Sequence, residues 1–248
     1  MAAALVVVAL LGAWELVSAA GVVDPLLLPA PTDVARTLWS DRALLAPDLA
    51  TTTWEVLLGL ALAVASGIAI ALAMHLSPVA RRALRPLVIG SQAVPVPVIA
   101  PLVIVALGFG LAPKVLLVAL VCFFPVAINL HDGLRSADPD ARTLLRSLDA
   151  TRWQTLRVLE APSALPSAFT GVRVAAAVAV IGAVFAEWSG SDAGLGHAVL
   201  TANGQLETAR AFAATTLLFA LAVVLYGAVA LLERRLVTWT PRTDPGGS

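Results

Sequence analysis

Five consecutive residues, Asp149-Ala150-Thr151-Arg152-Trp153, bring a carboxylate, a hydroxyl, a guanidinium and an indole together. Tryptophan and arginine are the residues that most often anchor one protein on another, so this set reads as a docking surface and not as a catalytic one. Elsewhere the chain has no Ser/His/Asp constellation, no H-E-x-x-H and no phosphate-cradling G-x4-G-K-S/T. His75, His131 and His197 are scattered along the sequence, read as lying on differing faces, and are not expected to hold a metal. Cys122, the only cysteine, lies in an apolar run as an inert thiol and cannot form an intramolecular disulfide.

The remaining candidates interrupt apolar stretches. Gln92 stands just before a proline cluster, Pro95, Pro97 and Pro101. Prolines remove backbone donors and should kink or unwind a helix. Irregular backbone at membrane depth survives where it is buried in protein or lines a cavity. Gln92 and Pro95 therefore read as lining a translocation path, with a simple packing kink as the other reading. Glu187 ends another apolar run, either lining the path or solvated at the membrane edge. Gln92 and Asn129 either line the path or hydrogen-bond between helices, the packing role being favoured for Asn129. Glu15 within the first apolar run, and Glu55 in the second, are unusual for such positions.

These residues sit in a chain of 248 residues that is 59% hydrophobic and 13% charged. A soluble domain of that length needs more polar surface. The apolar residues come in runs of about 20, the length that spans a bilayer as a helix, and the runs do not alternate as barrel strands would. The reading is an all-α integral membrane protein of six transmembrane helices in a single domain, 1–248. The spans fall near 3–22, 53–75, 87–109, 114–131, 167–188 and 211–232. The first lacks a basic n-region and reads as a retained helix, not a signal peptide. Between spans 1 and 2, Val34–Leu45 is amphipathic: a helix on the membrane face or a solvated loop. In the loop after span 5, Leu195, Val199 and Leu200 fit a short re-entrant or interfacial turn. Residues 243–248 read as a disordered tail.

Net charge is zero, so nucleic acid is not expected as a partner; the distribution of charge is more telling. Arg81, Arg82 and Arg85 follow span 2. Arg135, Arg142, Arg146, Arg152 and Arg157 follow span 4, and Arg234, Arg235 and Arg242 follow span 6. The other side has only Arg36, Arg42, Lys114 and Arg210. Eleven against four places both termini in the cytoplasm by the positive-inside rule. Arg173 would snorkel to the cytoplasmic interface.

The cytoplasmic segment 138–166 is polar and regular. Asp138 is a good N-cap with Pro139 at the first helical position. Ala141, Leu144, Leu145 and Leu148 then form one apolar face. That helix should stop near Asp149. A second begins at Thr151, with Gln154 three residues on completing a capping box, and Pro162 and Pro166 should end it before span 5. Trp153 would be exposed on a helix too short to be stable alone. It either packs on a partner or anchors at the membrane interface.

This segment resembles the coupling motif of type I ABC importer permeases, E-A-A-x3-G-x9-I-x-L-P. With the motif glycine at Asp149, E-A-A falls on Thr143, Leu144 and Leu145, and I-x-L-P on Leu159, Glu160, Ala161 and Pro162. Ala150-Thr151-Arg152-Trp153 match the A-S/T-R-W that commonly follows the glycine; the glutamate, both alanines, the glycine and the leucine are replaced. Over roughly 26–240 the chain is similar to the nitrate/sulfonate/taurine/pyrimidine-precursor branch. The resemblance is carried by Leu28-Pro29-Ala30-Pro31-Thr32-Asp33-Val34, Pro101-Leu102 with Gly108-Phe109-Gly110 and Lys114, and Phe123-Phe124-Pro125 with Asn129 and Gly133. Ala186-Glu187-Trp188 with Gly194-Leu195-Gly196, and Leu232-Glu233-Arg234-Arg235 with Trp239, complete it.

The resemblance implies a permease with a cytoplasmic coupling-helix hairpin between spans 4 and 5, in the inner membrane of a bacterium. It implies a second permease copy, an ABC ATPase dimer that binds ATP and Mg, and an extracytoplasmic substrate-binding protein. No cofactor would be bound by this chain, and no catalysis performed by it. Asp149 to Trp153 would contact the ATPase. The solute would be a small sulfonate, taurine, nitrate or thiamine-precursor-like pyrimidine. Acidic Glu55 and Glu187 facing the path would favour a neutral or cationic heterocycle over an anion. The replaced motif residues also leave open a coupling-deficient scaffold or sensor that kept the fold.

Overall fold

The computed structural model describes residues 2–21, 23, 24 and 26–239, and every regular element among them is a helix. The expected tail at 243–248 lies outside the described residues. The first helix, α1 (Ala2–Ala19), reaches the bundle through Trp14, whose ring lies 5.8 Å from that of Phe212. Glu15 has a local partner: its carboxylate accepts from the backbone N–H and the hydroxyl of Thr32, in the first turn of α2 (Pro31–Ser40). The amphipathic stretch is thus helical, but it breaks at Asp41 and not at Leu45. From Arg42 the chain runs into α3 (Arg42–Leu76), whose 35 residues begin 11 residues before the expected span. At 1.5 Å per residue this helix is about 52 Å long, more than a bilayer core, so its first turns project beyond it.

The third expected span is not one helix. It consists of α4 (Pro78–Gly90), a single 3-10 turn at Ser91–Ala93 and α5 (Val96–Leu107), bent by 104°. Pro95 has no N–H to donate, and the residue before a proline is pushed out of the helical region. Val94 (ψ 116°) and Pro95 (ψ 114°) are accordingly both extended. Proline was expected to kink or unwind this segment, and the pair of extended residues interrupts the helix and turns it through more than a right angle.

α6 (Leu111–Arg135) is followed by a short hairpin, α7 (Pro139–Ser147) and α8 (Arg152–Thr155). Pro162 and Pro166 were expected to end the second hairpin helix, and they do not. A π-helical turn at Leu156–Glu160 joins α8 to α9 (Ala161–Trp188), giving one helix from Arg152 to Trp188. In that turn the Ala161 N–H reaches back to the Leu156 carbonyl. The widened turn makes room for the ring of Pro162, which in a regular helix would clash with the carbonyl four residues back. The expected interfacial turn after span 5 is a full helix, α10 (Leu195–Gly204), and α11 (Thr208–Leu236) closes the fold.

Among the described residues, four helices are long and apolar enough to cross a membrane, five if the bent α4–α5 pair counts as one span. α3, α6 and α9 form the centre. Lipid tails leave little hydrophobic force between helices, so close packing of small residues does the joining. A Cβ added to Gly67 would come within 2.8 Å of the Val126 side chain, and one on Gly171 within 2.5 Å of the Pro125 carbonyl oxygen. Ala175, Ala176, Ala179 and Ala183 carry the buried stripe of α9. Arg173, expected to snorkel, pairs instead with Glu233 of α11 at 3.2 Å.

Candidate functional site: an exposed hairpin and a buried polar cluster

The hairpin is built by its caps. The Asp138 carboxylate accepts from the Asp140 N–H at 2.8 Å and starts α7. The helix ends in a pair of backbone bonds, Asp149 N–H to the Arg146 carbonyl and Ala150 N–H to the Leu145 carbonyl, at 3.1 and 3.0 Å. Such an ending needs a left-handed residue, normally glycine. Asp149 supplies it at φ 54°. This is the position where the resembled motif carries glycine, and the turn survives its replacement. Thr151 then caps α8, and its own N–H donates to the Gln154 side chain at 2.7 Å, closing the capping box.

Tight caps leave the hairpin's apolar groups outside. Leu144, Leu148 and Trp153 are 61, 69 and 67% exposed. Asp149, Thr151 and Arg152 are exposed beside them, and Ala150 is half-buried. At the hairpin's base, Glu160 of the π turn receives His75 Nε2 at 2.7 Å and Arg142 Nε at 2.9 Å. This buried carboxylate binds the end of α3 and the α7 helix to the start of the long helix. The sequence offered it only as an isolated charge between Leu159 and Ala161. His75 and His131, read as lying on differing faces, line the same cavity at this end of the bundle.

At the opposite end lies a second polar cluster, of which sequence reasoning named Glu187 but not its setting. Glu187 is 1% exposed and faces protein. It accepts from the Thr52 hydroxyl at 2.6 Å and from the backbone N–H groups of Gly196 and His197. Thr52 in turn accepts from the Leu195 N–H at 2.8 Å, and Asp48 from the Gly194 N–H at 2.8 Å. The α10 N-terminus is thus held by side chains of α3 and α9, as carboxylates hold helix N-termini generally. Gly194 (φ 113°) and Gly196 permit this approach, since a Cβ on either would collide with the Glu187 carboxylate. The Trp188 indole N–H closes the turn on the Gly196 carbonyl at 2.9 Å.

Glu55 belongs to the same end. Its carboxylate, 1% exposed, pairs with Lys114 of α6 at 2.6 Å, and Lys114 also donates to the Ser191 hydroxyl at 2.5 Å. Lys114, one of the four outer-side charges and the first residue of expected span 4, is buried in the first turn of α6. Glu55 and Glu187, expected to face a solute path and so to favour a neutral or cationic heterocycle, are both enclosed by protein in this chain, which gives that argument no support. Glu187 through both oxygens, and Glu55 through Oε1, hold helices together. Gln92 and Pro95 are exposed at the α4–α5 bend, apart from this cluster. Asn129 returns its amide to the Pro125 carbonyl of its own helix at 2.7 Å.

The described residues form an all-helical bundle with several membrane-length helices, one bent helix pair and an exposed helical hairpin, the architecture of an integral membrane protein. Residues 63–238 match the family described as the binding-protein-dependent transport system inner membrane component, and the chain belongs to that family. It is 35% identical over 227 residues to the formylaminopyrimidine transport permease protein of Halalkalibacterium halodurans, covering 91% of this chain and 90% of that one. It is 32% identical over 237 residues to the taurine transport system permease protein of Escherichia coli, covering 93 and 86%. Among solved structures, a chain of the crystal structure of an amino acid ABC transporter with histidines shares the fold. Its TM-score is 0.67 at 17% identity, with 81% of this chain and 97% of that chain covered. The apolar helices and the family together make this chain a multi-pass inner-membrane protein.

Proposed function

We propose that this chain is the permease subunit of an ATP-driven importer, with six spans formed by α1, α3, the bent α4–α5 pair, α6, α9 and α11. The arginine-rich end and both termini face the cytoplasm. The hairpin docks through Asp149, Ala150, Thr151, Arg152 and Trp153 into a separate ATPase, which binds ATP and Mg. A second copy of the permease completes the pathway, and an extracytoplasmic binding protein delivers the solute. Closure of the ATPase dimer moves the hairpins and switches access, a lever acting on a bistable bundle. Gln92 and Pro95 face the pathway at the bend.

The observation that carries this reading is the exposure of Leu144, Leu148 and Trp153 on a hairpin whose caps are complete. A well-formed helix pair that leaves its large apolar groups outside is shaped for a partner. The alternative, a coupling-deficient scaffold, draws on the replaced motif glutamate and glycine; the left-handed backbone of Asp149 answers the loss of the glycine. The solute is a small organic molecule, and the formylaminopyrimidine relative makes a pyrimidine-type heterocycle the first to test.

The test is reconstitution with the ATPase encoded beside it and a pyrimidine-loaded binding protein. The expected result is solute-stimulated ATP hydrolysis and a stable complex. Trp153→Ala should weaken complex formation by at least about tenfold, the effect of losing a central aromatic anchor. Absence of stimulation together with an unaffected W153A complex would defeat the proposal.

A further inference from the structure

A cavity of about 600 Å³ opens at the arginine-rich end, between the ends of α3 and α6, the start of α4 and the hairpin. Arg81, Arg135, Arg142, Arg146 and Arg152 line it, and Glu160 is the one carboxylate in its wall. Glu160 is already engaged by His75 and Arg142. Arg81, Arg135, Arg146 and Arg152 have no ion-pair partner among the described residues. His131 forms part of the wall at 1% exposure, and neither of its ring nitrogens makes a well-formed hydrogen bond, although the Ala71 carbonyl stands near the ring. Buried polar groups are normally satisfied. Four guanidiniums without a counter-charge in the protein, beside a buried imidazole whose hydrogen bonding is incomplete, leave the site with unbalanced positive charge.

We propose that this cavity binds a phosphate-bearing anion. Guanidinium forks match phosphate oxygens two at a time, and arginine is the residue selected where such planar recognition matters. A phosphate group offers enough oxygens to engage several forks at once and carries up to two charges, where a single carboxylate would leave most of the guanidiniums unpaired. The volume lies within the range of small-molecule sites and accommodates more than a bare phosphate. The walls come from two parts of the molecule: Arg142, Arg146 and Arg152 from the hairpin, Arg81 and Arg135 from the ends of the bundle helices. A bound phosphate therefore bridges hairpin to bundle and limits the movement of one against the other. The phosphate can belong to a free solute or to the headgroup of an anionic lipid in the adjacent leaflet, because the cavity opens where the apolar helices end.

The full chain, purified without other subunits, is the material for the test. Thermal unfolding is followed in neutral detergent with inorganic phosphate or pyrophosphate, against chloride at equal ionic strength. A parallel series uses nanodiscs of phosphatidylcholine with and without phosphatidylglycerol. The expected result is a midpoint that rises with ligand concentration, as for any ligand that binds the folded state. Arg135→Gln with Arg146→Gln should raise the concentration required by at least about tenfold; the paired lysine variants, which keep the charge and lose the fork, should fall between it and the wild type. Stabilisation by phosphate or pyrophosphate in detergent identifies a free solute; stabilisation by phosphatidylglycerol alone identifies the lipid. Either, if lost in the glutamine variant, supports the site. Should that variant fail to fold, Arg81→Gln on α4 serves the same comparison. If none of the three probes stabilises the wild-type chain, or if the glutamine variants respond as the wild type does, the proposal is overturned.

Discussion

The Thr52 hydroxyl donates to Glu187 at 2.6 Å while accepting from the Leu195 N–H at 2.8 Å, so that one buried side chain joins α3, α9 and α10. Replacing it with valine keeps the shape and removes both bonds. Thr52→Val should lower unfolding stability by about 1–3 kcal/mol, because a carboxylate oxygen and a backbone N–H lose a buried partner. Thr52→Ser should recover most of the loss. Equal stability of T52V and wild type in detergent unfolding would show that the cluster is not a fastener.

Lys114 and Glu55 form a buried pair between α6 and α3. Removing only the lysine strands a carboxylate away from water, at a cost of about 3–5 kcal/mol. Lys114→Met should therefore destabilise strongly, and adding Glu55→Gln should restore much of the stability. A double-mutant cycle measures this; simple additivity of the two changes would refute the coupling.

Asp149 holds a left-handed backbone at φ 54°, a conformation that costs most residues energy and glycine almost none. Asp149→Gly should stabilise the chain by about 1 kcal/mol with the turn unchanged. Asp149→Val should destabilise it, because a β-branched residue fits that region poorly. If D149G lost stability, the carboxylate would be making a contribution beyond the turn.

At the opposite end, Asp41 joins α2 to the start of α11 through Arg210 at 2.7 Å. The hydrogen bond from Arg210 is the main influence holding this carboxyl below its ordinary 3.8; burial opposes it, and the Ser40 hydroxyl and the Arg210 charge assist. A carboxyl whose folded value is depressed contributes stability above its unfolded value, and that contribution disappears as pH falls through the folded one. Unfolding midpoints followed downward from neutral pH should thus drop in the acid range below about pH 4 more steeply for wild type than for Asp41→Asn. Parallel curves would exclude the linkage.

Much of the architecture was legible because its signals are local. Asp138 and Pro139 start α7, Thr151 and Gln154 form the expected box, and the runs around α3, α6, α9 and α11 reach membrane length. Helix ends were misread where a rule of local sequence was overridden by the packed chain. Pro162 was taken as a stop, but a π turn one step earlier absorbed it. At Pro95 the expected kinking or unwinding is present, as two adjacent extended residues and a 104° bend. Lys114 reads from sequence only as an outer-side charge at the start of span 4, because hydropathy does not reveal that a carboxylate on another helix, 59 positions away, will receive it.

The sequence by itself determined that this is a helical membrane protein, where its long apolar helices run, and where a capped polar hairpin interrupts them. Those properties depend on neighbouring residues: runs of apolar side chains, caps and prolines. Only the tertiary structure decided which charges are available to a partner and which are spent. Glu55 and Glu187 are spent on Lys114, Thr52 and the α10 backbone, and Glu160 on His75 and Arg142. Whether a charge is satisfied depends on what reaches it across space, and those partners lie on other helices.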